Sequence, residues 1–182
     1  MKKLFAALAA TCLAISACGG GSSGKSDFVV RVDLIDDAVN AVKEWNDNQD
    51  PGLIADGESE LKFFEINATP DLINIYVATK GATEAVAFIY DSKNGLSEPD
   101  SPQTASGSTF KWSDVDSDIT KAKVYENVVA ELPRSTISRF VIGRDPDFNK
   151  LTYRVIMVSD SGGEFAAYVE PSGKIIGGDL LG

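Results

Sequence analysis

The chain has 182 residues, with 17 lysines and arginines against 27 aspartates and glutamates, a net charge of −10 and no histidine. An acidic surface of this kind repels nucleic acid and anionic headgroups, and the missing imidazole removes the commonest general base and transition-metal ligand. The two cysteines, Cys12 and Cys18, both lie near the start, so the body of the chain has no thiol for a disulfide, a nucleophile or a metal.

The first element is an apolar run from Leu4 to Ala17 behind Lys2 and Lys3. It is too short to span a bilayer, which needs about 20 apolar residues. Ending in Leu13-Ala14-Ile15-Ser16-Ala17-Cys18, it resembles a bacterial lipoprotein signal. The resemblance implies loss of residues 1–17, lipid (palmitate among it) on Cys18 and anchoring at the cell envelope. Each buried methylene contributes roughly 0.8 kcal/mol, so several chains anchor stably. Gly19 rather than Asp follows the cysteine. That is similar to lipoproteins sent to the outer membrane; in a host without one, the outer face of the plasma membrane is expected. Removal of Lys2 and Lys3 takes the charge from −10 to −12, and Cys12 leaves with them.

Residues 18–27 have the Gly/Ser composition of a flexible tether. Gly19, Gly24, Lys25 and Ser26 fall on phosphate-loop spacing, but no strand precedes them to hold such a loop. No nucleotide is expected.

Residues 28–93 read as one unit. A short strand at Phe28–Val32 leads to a helix whose apolar face is Leu34, Ile35, Ala38, Val39, Val42 and Trp45. Asp33, Asp36 and Asp37 stand where capping and the helix dipole favour carboxylates. A long loop, Asn46–Glu60, separates the helix from strands expected at Leu61–Ala68, Leu72–Thr79 and Glu84–Tyr90. Residues 94–107, rich in Ser, Pro and Gly, read as a linker crossing the surface.

Residues 108–182 repeat the pattern: a short strand at Thr109–Trp112, then a helix with Ile119, Ala122, Val124, Tyr125, Val128, Val129 and Leu132, stopped by Pro133. Strands follow at Ile137–Gly143, Leu151–Ser159 and Glu164–Val169. Leu61, Phe64 and Ile66 match Ile137, Phe140 and Ile142 at a constant offset of 76, and the turns at Thr69–Asp71 and Asp145–Asp147 keep it. The expected fold is α+β: two tandem α-β-β-β repeats, an antiparallel sheet and helices on one face. Tandem helix-plus-meander units resemble PepSY-type domains and the beta-lactamase-inhibitor-protein family, and the run Phe165–Ile176 is similar to the strand-turn close of a PepSY unit. The resemblance implies a non-enzymatic, protein-binding module, with inhibition as one form of that binding, although the repeats of that inhibitor family look disulfide-closed and these have no cysteine pair.

Few residues carry chemistry. Asp114, Asp116 and Asp118 imitate the opening of a calcium loop, but Ile119 and Tyr125 stand where Gly and Glu are needed, so a helix entry capped by Ser117 or Asp118 is expected. Ser59 and Lys62 have nucleophile–lysine spacing without companion motifs. No catalytic residue, metal or cofactor is expected. Two binding candidates stand out: the long loop with Asp47, Asp50 and Asp56, and a sheet face turned from the helices, carrying Phe63, Tyr76, Tyr90, Arg139, Arg154 and Tyr168. Aromatic and arginine side chains are the types that anchor protein interfaces. The expected role is a membrane-anchored protein-binding module. The alternative is a carrier or sensor of a small apolar ligand or lipid between helices and sheet, and a carboxylate-only hydrolase ranks last.

Overall fold

Ile35, Ala38, Val39 and Val42 recur at steps of three and four, and all are buried along one side of helix α1 (Ile35–Asp47) in the computed structural model. The structure describes residues 30–55, 57–115, 121–133, 135–145, 150–160, 162–170 and 174–181. The expected signal (1–17), the expected lipid-bearing Cys18 and the expected tether (18–27) therefore lie outside the described residues.

The entry to α1 differs from expectation. Val32–Leu34 form a 3-10 turn rather than the end of a strand, and the N-cap Leu34 makes no side-chain cap bond. Asp33 instead takes the Arg31 guanidinium, Nη2 to Oδ2 at 2.8 Å. That hydrogen bond and charge lower the Asp33 pKa. Asp36 and Asp37 sit in the first helical turn, where the dipole favours them. The second helix, α2 (Lys121–Glu131), buries Val124 and Val128, whereas Val129, expected on its apolar face, is 41% exposed. Ile119 and the caps expected at Ser117 and Asp118 lie outside the described residues.

The strands are β1 (Lys62–Ala68), β2 (Ile73–Thr79), β3 (Glu84–Asp91), β4 (Gly95–Leu96), β5 (Gln103–Thr104), β6 (Phe110–Lys111), β7 (Ser135–Asp145), β8 (Lys150–Ser159), β9 (Glu164–Val169) and β10 (Ile175–Leu181). They form one sheet in the order β10-β9-β8-β7-β1-β2-β3-β4, with β5 also on β3 and β6 also on β1. Every pairing is antiparallel. The 94–107 linker is not a loose crossing. It runs along the β3 edge through β4, β5 and bonds from the Ser97 and Asp100 amides to the Ile89 and Ala87 carbonyls.

Both helices cover the same face. Their buried side chains share one core with Ile66, Ile75, Val77, Phe88, Phe140, Ile142, Tyr153 and Val155. Trp45 of α1 meets Phe88 edge-on at 5.0 Å, and Phe140 lies 5.6 Å from Tyr153. At the sheet's middle, β1 and β7 pair so that Ile66 stands opposite Ile142, residues 76 apart in the chain.

Candidate functional site

Strand parity decides which side chains reach the face away from the helices, and bulges reset it. β1 carries an irregularity between Phe63 and Glu65. Phe63, expected on the outer face, is thereby turned inward; it is fully buried, 5.8 Å from Phe110. Tyr90 is corrected too. It shares parity with Phe88 and packs against the helix-side core. A similar irregularity between Ile137 and Arg139 keeps Ile137 buried and Arg139 exposed.

The open face thus carries Tyr76, Arg139, Arg154 and Tyr168 of the expected set. Val141, Ile156 and Ala166 are buried beneath Tyr168 in a small second apolar cluster. The Tyr168 hydroxyl donates to Asp179 Oδ2 of β10 at 2.9 Å. Arg154 Nη2 donates to Glu65 Oε2 at 2.7 Å, and Asn67 Nδ2 reaches Glu65 Oε1 at 3.4 Å.

Beside this network lies a groove of about 410 Å³, lined by Phe64, Glu65, Asn67, Tyr76 and Arg139, with Ala85 and the strap residues Ala105 and Ser106 along its border. Phe64, Glu65 and Asn67 were missed as site residues by sequence reasoning. The parity of Glu65 and Asn67 was readable, since both alternate with buried Ile66 and Ala68. The bulge that turns Phe64 was not.

The long loop is tied down rather than free. Asn46, buried at the end of α1, accepts a hydrogen bond at Oδ1 from the Leu53 amide, and Leu53 packs against the core. Lys62 Nζ bonds Glu58 Oε1 at 2.6 Å, Lys111 stands 3.7 Å from Glu60, and Ser113 Oγ donates to Glu60 at 2.8 Å. The Lys62 contact lowers the Glu58 pKa. Asp47 and Asp50 are exposed around this loop, away from the groove, and Asp56 lies outside the described residues. A cleft of about 100 Å³ between Leu53–Ala55 and Ala78–Ala82 completes this side.

The expected calcium-like run contributes only Asp114 to the described residues. It accepts from the Lys111 amide at 3.0 Å and pairs with Arg144 at 3.3 Å. Among the described residues no group of three or more His, Cys, Asp or Glu could hold a metal ion, and no helix is long and apolar enough to cross a membrane. The open face offers rings, one ion pair, an amide and an exposed guanidinium, which suit recognition of another molecule.

No protein-family model matches the chain, and no curated protein matches it. A solved crystal structure of a putative lipoprotein from Clostridium difficile is similar in fold, with a TM-score of 0.55 at 12% sequence identity, the match covering 86% of this chain and 97% of that one. At this identity the likeness is one of fold, a mixed α+β chain with a mostly antiparallel sheet and few helices.

Proposed function

We propose that the chain is a lipid-anchored envelope protein, held by Cys18, whose open sheet face binds a partner protein. The single observation that carries the binding role is the groove beside Tyr76 and Arg139, on a sheet whose other face is filled by both helices. The anchor is supported by the run Leu13–Cys18 and by the lipoprotein that shares the fold. With Gly19 after the cysteine, the outer membrane is the proposed site where the host has one. A binding rather than enzymatic role is proposed because the chain beyond Cys18 offers neither imidazole nor thiol.

We further propose that residues 28–93 and 108–182 descend from one duplicated unit of the PepSY-like kind. The pairing of Ile66 with Ile142 supports this, since a two-fold relation between copies would bring equivalent residues face to face. The carrier alternative is disfavoured: Phe63, Phe88, Phe110, Phe140, Tyr153 and Met157 already fill the layer between helices and sheet.

Two measurements test the proposal. Metabolic palmitate labelling should mark the protein and fail in Cys18→Ser; unchanged labelling removes the anchor. A photo-crosslinking residue at Tyr76 should give a discrete protein adduct in intact envelopes, whereas one at exposed Glu44 on α1 should not. Identical patterns at both positions, or no adduct while solvent extraction releases stoichiometric lipid, would sink the protein-binding role.

A further inference from the structure

We infer that Leu180 and Leu181, at the end of β10, enter the headgroup boundary of the bilayer that holds Cys18, so that the sheet stands end-on against that surface. The inference rests on the proposed lipid anchor and adds to it an orientation and a second contact, with zwitterionic lipid.

The amide of Arg31 donates to the Thr69 carbonyl at 3.0 Å, so the described chain begins beside the turn between β1 and β2. Strand register carries that end across the sheet. Leu181 stands opposite Glu164, Glu164 opposite Val158, and Val158 opposite Thr136. On β7, Thr136 precedes Phe140, the partner of Ala68. The row ending in Leu181 therefore lies about 10 Å beyond Ala68, on the side of the β1–β2 turn. From β1 to β10 is four strand spacings, about 19 Å across the sheet. Cys18 stands twelve residues before Val30, and twelve residues extend at most about 40 Å. A bilayer holding Cys18 is thus within reach of Leu181.

Exposed apolar side chains gather at this end. Leu180 is 86% exposed and Leu181 38%. Val129, also exposed, lies in the last turn of α2, which closes at the same end: the Ser135 amide, at the start of β7, donates to the Leu132 carbonyl at 3.1 Å. Ile54 lines the cleft at the opposite end, and Tyr76 and Ile89 lie on the open face. One exposed leucine is ordinary, but two in succession where the tether enters are not scattered. Successive strand residues point to opposite faces, so an end-on contact is the one that covers both. The tether makes that contact intramolecular, and a weak apolar insertion then suffices. Charge selects the lipid. Asp71, Glu131 and Asp160 are exposed at this end against Lys93, which repels anionic headgroups and leaves zwitterionic ones as the fit.

The test uses the full chain, purified from envelopes and reconstituted into phosphatidylcholine vesicles. On the proposed processing Cys12 is removed and the Cys18 thiol carries lipid, so an introduced cysteine is the thiol that takes a bimane label. Bimane on Leu180→Cys should shift its emission to the blue on reconstitution and be quenched by lipids spin-labelled near the headgroup. The same label on Gln49→Cys, exposed beyond the far end of α1, should do neither. Adding Leu181→Asp to Leu180→Cys, or phosphatidylglycerol to the vesicles, should reduce the quenching. Equal quenching at the two positions, none at 180, or quenching indifferent to Leu181→Asp and to phosphatidylglycerol overturns the inference. A blue shift that disappears when each vesicle holds a single protein also overturns it, because a second copy then covers the leucines. If palmitate labelling succeeds in any of these events, the anchor stands and only the end-on contact falls; if labelling fails, both fall.

Discussion

Arg154 on β8 and Glu65 on β1 meet across the full width of β7, Nη2 to Oε2 at 2.7 Å. Glu65 stands opposite Gly143 and Arg154 opposite Val141, so the guanidinium passes over a stretch where β7 presents little bulk. The two side chains are 36% and 31% exposed. Solvent screening therefore keeps the pair near the surface value of about 0–1 kcal/mol. A double-mutant cycle with Arg154→Met and Glu65→Gln, read by urea denaturation, should give a coupling in that range. A coupling of about 3 kcal/mol or more would mean that the face is closed to water rather than open.

The long loop depends on one buried amide. Asn46→Ala would strand the Leu53 N–H, a loss of about 1–3 kcal/mol. Gly52→Ala reaches the same contact from the other side: its Cβ would fall 2.7 Å from Asn46 Oδ1, which is held in place and cannot give way. A cost of about 1–3 kcal/mol is expected for that overpacking. Combined, the two substitutions should cost less than their sum, because Asn46→Ala removes the atom that Gly52→Ala strikes. Strict additivity in guanidinium denaturation would disprove this coupling.

Ala82 occupies φ +67° in the turn between β2 and β3, a left-handed conformation that costs a side-chain-bearing residue roughly 1–2 kcal/mol. Ala82→Gly releases that strain against the greater chain entropy of glycine in the unfolded state. A net stabilisation of about 0.5–1 kcal/mol, seen as a raised melting temperature, is the expected result. A lowered melting temperature would contradict the strained turn.

Acid should loosen the turn after β3. The Asp91 carboxylate accepts bonds from the Asn94 amide at 2.9 Å, the Asn94 side chain at 2.7 Å and the Lys93 amide at 2.6 Å. These bonds, the Asn94 amide foremost, hold its pKa below the ordinary 3.8. A depressed folded-state pKa contributes stability that is complete above the unfolded value and is lost as pH falls through the folded one. Melting temperature should therefore decline as pH drops below about 4, and Asp91→Asn should decline less steeply. Parallel curves for the two proteins would remove Asp91 from the account.

Periodicity made much of the scaffold legible. The expected strand Glu164–Val169 is β9 to the residue, and Leu72–Thr79 and Leu151–Ser159 each differ from β2 and β8 by one. The α1 face was readable because four apolar residues recur at helical spacing and all are buried. Other features were not readable because they depend on neighbours. A bulge after Phe63 inverts the parity of one residue without any local signal. Tyr90 was misplaced although its parity with Phe88 was plain, so aromatic character outweighed pattern there. β10 has Gly177-Gly178 where alternation would be sought, yet a Cβ at Gly178 would lie 2.9 Å from the Ala166 carbonyl oxygen, so the close approach itself requires glycine. Asn67 could be placed on a face but not recognised as buried, since its burial depends on neighbouring strands remote in the chain.

The strap along β3 also governs how copies of the chain can meet. Unpaired strand edges template one another, and a sheet with two of them can extend without limit. Here β4 and β5 occupy one margin, leaving β10, with Leu180 86% exposed, as the other boundary of the described sheet. With one long margin in the described sheet, two molecules can join there, while β4 and β5, two residues each, offer a third little to pair with. That asymmetry separates a reversible pair from a fibre.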